Sequence, residues 1–146
     1  MATRWGLAVD CANPARLTEF WALALGYEKP GLPAGFASWE EYFNHYDVPE
    51  DERDDAGYLS DPDGLGPTLS FLKVPESKVV KNRLHIDIKV GGGRDAVPWE
   101  VRWPRVLEAV ERLTAVGATV IREYEINGQP DHILMADPEG NEFCLV

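Results

Sequence analysis

At 146 residues, 45% hydrophobic and 10% aromatic, the chain carries enough apolar material for one domain with a real core, and no run nears the ~18 apolar residues of a membrane-spanning helix. A net charge of −11 repels phosphate backbones and sets nucleic acid aside as a partner. Cys11 and Cys144 stand in no Cys-x-x-Cys pattern, and "MATRWGLAVDCANPARLTEF" has no apolar leader, so the expectation is a cytoplasmic protein with free thiols and no disulfide.

In chain order, "RWGLAVD" alternates as a strand and runs into a helix with Asn13 as N-cap and Pro14 at the first helical position. Leu17, Phe20, Trp21 and Ala24 recur at helical spacing, and Gly26 closes the helix. Residues 29–56 read as a loop or lid. Phe36, Trp39, Tyr42, Phe43 and Tyr46 gather there, and residues 40–63 hold ten acids against one base, Arg53. Such aromatics and acids suit a flat or cationic organic ligand; a satellite core under a long loop with a solvated charged face is the other reading.

Next comes "YLSDPDGLGPTLSFLKV", two short apolar strands about an Asp-Pro-x-Gly turn at residues 61–64. The strand "RLHIDIKV" follows, with Leu84, Ile86, Ile88 and Val90 on one face and Arg83, His85, Asp87 and Lys89 on the other. "VGGGRDAVPWEVRW" lacks the spacing of a phosphate loop and reads as a flexible crossover. Pro104 is then expected to open a helix with the stripe Leu107, Val110, and Leu113 or Thr114, closed by Gly117. "ILMADPEGNEFCLV" ends the chain with a second Asp-Pro-x-Gly turn, 76 residues after the first. The chain is thus built twice, as strand, helix and about three strands in each of two modules, about 1–76 and 81–146. The short join "VPESKVVKN" predicts that both belong to a single domain over 1–146.

Two tandem βαβββ units, with "DCANPARLTEFWALALGYE", "VPESKVVKNRLHIDI" and "ADPEGNEFCLV" in that order, resemble the vicinal oxygen chelate superfamily of glyoxalases, bleomycin-resistance proteins and extradiol dioxygenases, and in particular a glyoxalase-like branch common in actinobacteria. The resemblance implies an α+β fold in which the modules form a curved mixed sheet with a concave ligand cavity, and a homodimer. It places Arg83, His85 and Asp87 on the cavity face, with Glu142 and Cys144 from the last strand.

In metal-dependent members of that superfamily, four ligands come from the first, fourth, fifth and eighth strands. Carried over, these fall on or near Gly6, within "TLSFLKV", on His85, and on Cys144 in place of a glutamate. Only His85 matches, so no cofactor is expected; a divalent metal, if present, would use His85 and Cys144 with borrowed partners such as Glu142, Asp87 or His132. Cys144 itself reads as a small buried residue, since Glu142 opposes thiolate formation. His85, helped by Asp87, is either hydrogen-bonded in the cavity wall or a general acid or base. His45, exposed in a loop, and His132, a surface or edge residue at the start of a short strand, rank below it.

Three functions follow. The first is a glyoxalase-like lyase or isomerase acting on a small oxygenated compound through His85, Asp87 and Glu142, with Arg83 or Lys89 near an anionic group. The second is a bleomycin-resistance-like protein that sequesters a ligand with Phe36, Trp39 and Tyr42 and does no chemistry. The third is a module that keeps the fold without the site. Fold alone does not choose among them.

Overall fold

The computed structural model describes residue 2 and residues 4–146. The chain divides into two compact units that meet in sequence at Ser77 and Lys78. Among the described residues there are three α-helices, one short 3-10 turn and two mixed sheets, so the α+β class stands.

In the first unit, β1 (Gly6–Cys11) leads into α1 (Pro14–Leu25). The Asn13 side chain accepts the Arg16 amide at 3.0 Å, Pro14 occupies the first turn, and Gly26 closes the helix in the left-handed region at φ 70°. Leu17, Phe20, Trp21 and Ala24 are all buried, and α1 packs on β2 (Ala56–Leu59) and β3 (Thr68–Lys73). Thr18, also buried, donates its hydroxyl to the Pro14 carbonyl at 2.6 Å. A Cβ on Gly57 would lie 2.1 Å from that Thr18 oxygen, so this strand position requires glycine. The sheet order is β1-β3-β2, with β1 parallel and β2 antiparallel to β3.

Two strands, not three, follow α1. Among the described residues a lone bridge between Glu28 and Ser60 is the only further pairing, and the segment expected to be loop or lid contains α2 (Trp39–His45) and a 3-10 turn at Glu50–Glu52. The cause is local. Pro30, Gly31, Pro33 and Gly35 cannot sustain a ladder. Ser38 then accepts the Glu41 amide at 3.1 Å while Glu41 accepts the Ala37 amide at 2.7 Å, a variant of the capping box that starts a helix.

The second unit runs β4 (Ile86–Ile88), α3 (Trp99–Thr114), β5 (Thr119–Ile126), β6 (Gln129–Ala136) and β7 (Glu142–Leu145). Its sheet order is β4-β7-β6-β5, with β4 parallel to β7 and the other pairs antiparallel. Asn127 and Gly128 join β5 to β6 with φ of 54° and 75°, the pair of positive angles that a two-residue hairpin turn needs. Val106, Ala109 and Leu113 of α3 are buried, as are Ile133, Met135, Phe143 and Leu145 of the sheet, and α3 packs on β5, β6 and β7.

Two expectations are corrected here. Helix α3 begins at Trp99, with Pro104 inside it, and its buried stripe is Arg102, Trp103, Val106, Ala109 and Leu113, while Leu107 is exposed. Near the helix start a proline removes a single ladder bond. The first turn is anchored from outside, by the Trp99 indole donating to the Pro130 carbonyl at 2.6 Å and by Arg102 donating to Asp131. The strand expected over residues 83–90 shrinks to β4, because its partner β7 is short and the Asn82 side chain turns the chain by donating to the Leu84 carbonyl at 3.1 Å. Leu84, assigned to the apolar face, is 79% exposed.

The repeated turns match down to their side chains. Asp61 accepts the amides of Asp63, Leu65 and Gly66, and Asp137 accepts those of Glu139 and Asn141. Gly64 and Gly140 close them with φ of 68° and 86°. The aspartate of each Asp-Pro-x-Gly thus works as an acceptor for the loop, beyond the contributions of proline and glycine.

Candidate functional site

The face of the second sheet away from α3 carries Asp87 of β4, Glu142 and Cys144 of β7, and His132 and Leu134 of β6. Asp87 lies directly opposite Cys144 in the parallel ladder. His85, just before β4, brings Nε2 to 3.2 Å from Asp87 Oδ1. The donor atoms of His85, Asp87 and Cys144 all lie within 4.8 Å of one another. The imidazole and carboxylate are about half exposed, whereas Cys144 is buried.

Burial pushes the Cys144 thiol up from its ordinary value, with further pushes from Asp87 and then Glu142. It is therefore a neutral thiol and a poor nucleophile near pH 7. The sequence points to Glu142 as the opposing charge; Asp87, across the ladder, is the stronger. Glu142 is itself ion-paired to Lys81. Arg83 is exposed in the bend ahead of β4.

The other carried-over ligand positions are in the first unit. A Cβ on Gly6 would lie 2.8 Å from Thr68 Oγ1, so the Thr68 side chain already fills the space that a ligand residue would enter. On β3, the face opposite buried Leu69 and Phe71 carries Thr68, Ser70 and Leu72, and no imidazole or carboxylate.

The aromatic residues form one interlocked group in the first unit. Phe36 and Tyr42 meet edge-on at 5.1 Å, Trp39 and Tyr42 at 5.5 Å, and Tyr42 and Tyr46 lie 4.9 Å apart. No residue of α2 is buried, so this is a surface cluster and not a satellite core. His45, expected in a loop, ends α2 with its ring edge-on to Tyr46 at 4.8 Å. Arg53, the one base of the acidic stretch, stacks over Phe43 at 5.4 Å and donates to Asn44.

Sequence reasoning undervalued His132. It lies inside β6, half-buried, with Nδ1 2.9 Å from Asp131 Oδ2 and its ring stacked on Tyr124 at 4.8 Å. Asp131 is buried, and two arginines hold it. Arg94 Nε and Arg102 Nη2 donate to Oδ1 at 2.9 and 3.0 Å, Arg94 Nη2 donates to Oδ2, and Arg102 Nη1 donates to the Asp131 carbonyl at 2.8 Å. The Arg94 guanidinium, more than any other group, holds the Asp131 carboxyl well below the usual carboxylate range.

A groove of about 390 Å³ is lined by Asp87, Lys89, Arg94, Asp95 and Arg102 among others. A second, of about 670 Å³ in the first unit, is lined by Arg4, Trp5, Asp61, Leu65 and Thr68 among others. No helix is long and apolar enough to cross a membrane among the described residues.

Solved structures share this architecture. A glyoxalase/bleomycin resistance protein/dioxygenase family enzyme from Burkholderia phytofirmans PsJN is 15% identical, with 99% of this chain and 97% of that one covered and a TM-score of 0.60. FosX, a fosfomycin resistance protein from Listeria monocytogenes complexed with Mn(II) and 1S,2S-dihydroxypropylphosphonic acid, is 14% identical, covering 99% and 89% with a TM-score of 0.59. A glyoxalase-related enzyme from Fulvimarina pelagi is 10% identical, covering 99% and 87% with a TM-score of 0.58. These likenesses concern the fold. No curated protein matches the chain. The model of the glyoxalase-like domain matches residues 6–146, so nearly all of the sequence follows that pattern, and the chain belongs to the glyoxalase-like domain family on the vicinal oxygen chelate fold.

Proposed function

We propose that the protein binds a small organic molecule against the open face of β4 and β7, without a resident metal, and that His85, oriented by Asp87, moves a proton to or from that molecule. The observation that carries this reading is the convergence of an imidazole, a carboxylate and a neutral thiol on one face of one sheet. Asp87 steadies the imidazole through the 3.2 Å contact, while Cys144 supplies a small, uncharged wall. A cation would require Cys144 to lose its proton, and burial with two nearby carboxylates works against that.

A second reading has its own support in the same three donors. Nitrogen, oxygen and sulfur within 4.8 Å of one another suit zinc better than the Mn(II) found with FosX, because thiolate is a soft ligand. His85, Asp87 and Cys144 would hold the ion, and it would supply polarisation of a ligand oxygen. Sequestration without chemistry by Phe36, Trp39 and Tyr42 is the remaining alternative, supported by the surface aromatic cluster beside the acidic stretch.

The test is the metal content of tag-free protein purified without chelator, with the His85→Ala variant alongside, followed by a thermal-shift screen of oxygenated, aromatic and cationic compounds. Metal-free protein stabilised by an oxygenated compound, with the gain lost in His85→Ala, supports the first reading. Stoichiometric zinc that disappears in His85→Ala replaces it with the second. Stabilisation by aromatic cations that is lost in Trp39→Ala and kept in His85→Ala moves the ligand to α2.

A further inference from the structure

Neighbouring residues in a regular strand point to opposite faces, so Asp131 and His132 would ordinarily never touch. Here the register of β6 against β5 slips between His132, which faces Tyr124, and Pro130, which faces Glu125. Asp131 is the extra residue of a β-bulge, and bulges re-aim side chains. The carboxylate stays on the side of α3, where Arg102 reaches it, yet its Oδ2 also meets the His132 imidazole on the other side.

This arrangement fixes the chemistry of the ring. An ionised carboxylate only accepts hydrogen bonds, and Asp131 is kept ionised by two guanidiniums, so Nδ1 of His132 must carry the proton. Nε2 of the neutral ring is then left with its lone pair free. The orientation is held from the flat side as well, because Arg122 stacks on Tyr124 at 4.8 Å and Tyr124 stacks on the imidazole with the rings 7° from parallel. A ring with its tautomer, tilt and one nitrogen all fixed by buried or stacked partners is pre-organised to accept a proton.

Arg94 and Arg102, which clamp Asp131, also line the groove that holds Lys89, Asp87 and Asp95. His132 presents its partly exposed ring on the sheet face that carries Asp87 and Cys144. An acceptor nitrogen on that face pairs with a hydroxyl donor.

We propose that His132, fixed by Asp131, is a second acid–base group on this sheet face, and that its Nε2 accepts the hydroxyl proton of a hydroxylated ligand such as an alcohol, enol or phenol. The step is a transfer from ligand oxygen to Nε2, leaving an imidazolium hydrogen-bonded to Asp131 and an oxyanion on the ligand; no other bond changes. This goes beyond the His85 reading and stands without it.

The experiment is a two-bond proton–nitrogen correlation spectrum of protein labelled with ¹⁵N-histidine, with phenol as the probe and anisole, the same ring without the hydroxyl, as its control. The expected result is that His132 of the free protein is the Nδ1–H tautomer, and that phenol moves its Nε2 resonance upfield saturably while anisole does not. An Nε2–H tautomer in the wild-type protein, equal responses to the two probes, or no response to either would overturn the proposal. Because the reading is made on the wild type, it does not depend on whether Asp131→Asn folds; if that variant folds, His132 should revert to the Nε2–H tautomer.

Discussion

The second unit contains two histidine–aspartate pairs that differ in nearly every physical respect. His85 and Asp87 sit two residues apart on one strand face, half exposed, at 3.2 Å, with water competing for both groups. His132 and Asp131 are adjacent in sequence, meet at 2.9 Å only because of a bulge, and share a carboxylate that is 4% exposed and bound by two arginines. The first pair has the spacing that sequence reasoning rewards and little to hold it. The second has no helpful spacing and is fixed on every side. Pre-organisation of a proton-transfer group thus comes from its supporting residues and not from its place in a strand.

The largest expected difference is in stability. Replacing Asp131 with alanine leaves the buried Arg102 guanidinium without its carboxylate and should cost about 3–5 kcal/mol, while Asp87→Ala should cost less than ~1 kcal/mol because its partner is solvated. Urea denaturation of both variants checks this, and equal losses would break the comparison. Acid titration should sharpen it. The folded pKa of Asp131 is depressed, so its contribution is fully present above the unfolded value of about 4 and is lost as pH falls through the folded value. Wild-type stability should therefore fall below about pH 4 more steeply than that of Asp131→Asn. Asp61, lowered chiefly by the Gly66 amide, gives a background slope common to both proteins.

A smaller effect is expected at Gly91, where a Cβ would lie 2.2 Å from Arg102 Cγ. Arg102 is held at its far end by Asp131 and cannot yield freely, so Gly91→Ala should cost about 1–3 kcal/mol, read from the thermal midpoint. An unchanged midpoint would mean that the arginine clamp is looser than its hydrogen bonds imply. The smallest effect is chemical. Iodoacetamide should alkylate Cys144 more slowly than it does an exposed thiol, and Asp87→Asn should recover only part of the rate, because burial, the largest single cause of the raised pKa, remains. Full recovery would place the barrier in the carboxylate and bring Cys144 within reach of reactive chemistry.

Much of the fold was legible because it rests on local chemistry. Asn13, Pro14 and Gly26 delimit α1, and the two Asp-Pro-x-Gly turns mark the repeat. The start of α3 was missed because Pro104 matches the preference for proline in a first turn, while the anchors that extend the helix to Trp99 come from Pro130 and Asp131, some thirty residues away in sequence. The helix α2 was legible in Ser38 and Glu41 but went unread behind the prolines and glycines before it.

The candidate site divides the same way. Period-two alternation put Asp87 and His85 together, and the match of the last strand to a family pattern put Cys144 beside them. His132 escaped because alternation assigns Asp131 and His132 to opposite faces, and a bulge leaves no mark in the residues that form it. The sequence by itself determined the α+β class, the doubled pattern, the helix caps and turns, and the polar face of β4, since each depends on residues close in the chain. The tertiary structure decided how long β4 and α3 run, the raising of the Cys144 thiol by burial and Asp87, and the union of Asp131 with His132, Arg94 and Arg102. Those depend on burial and on charges from distant segments, which sequence spacing does not encode.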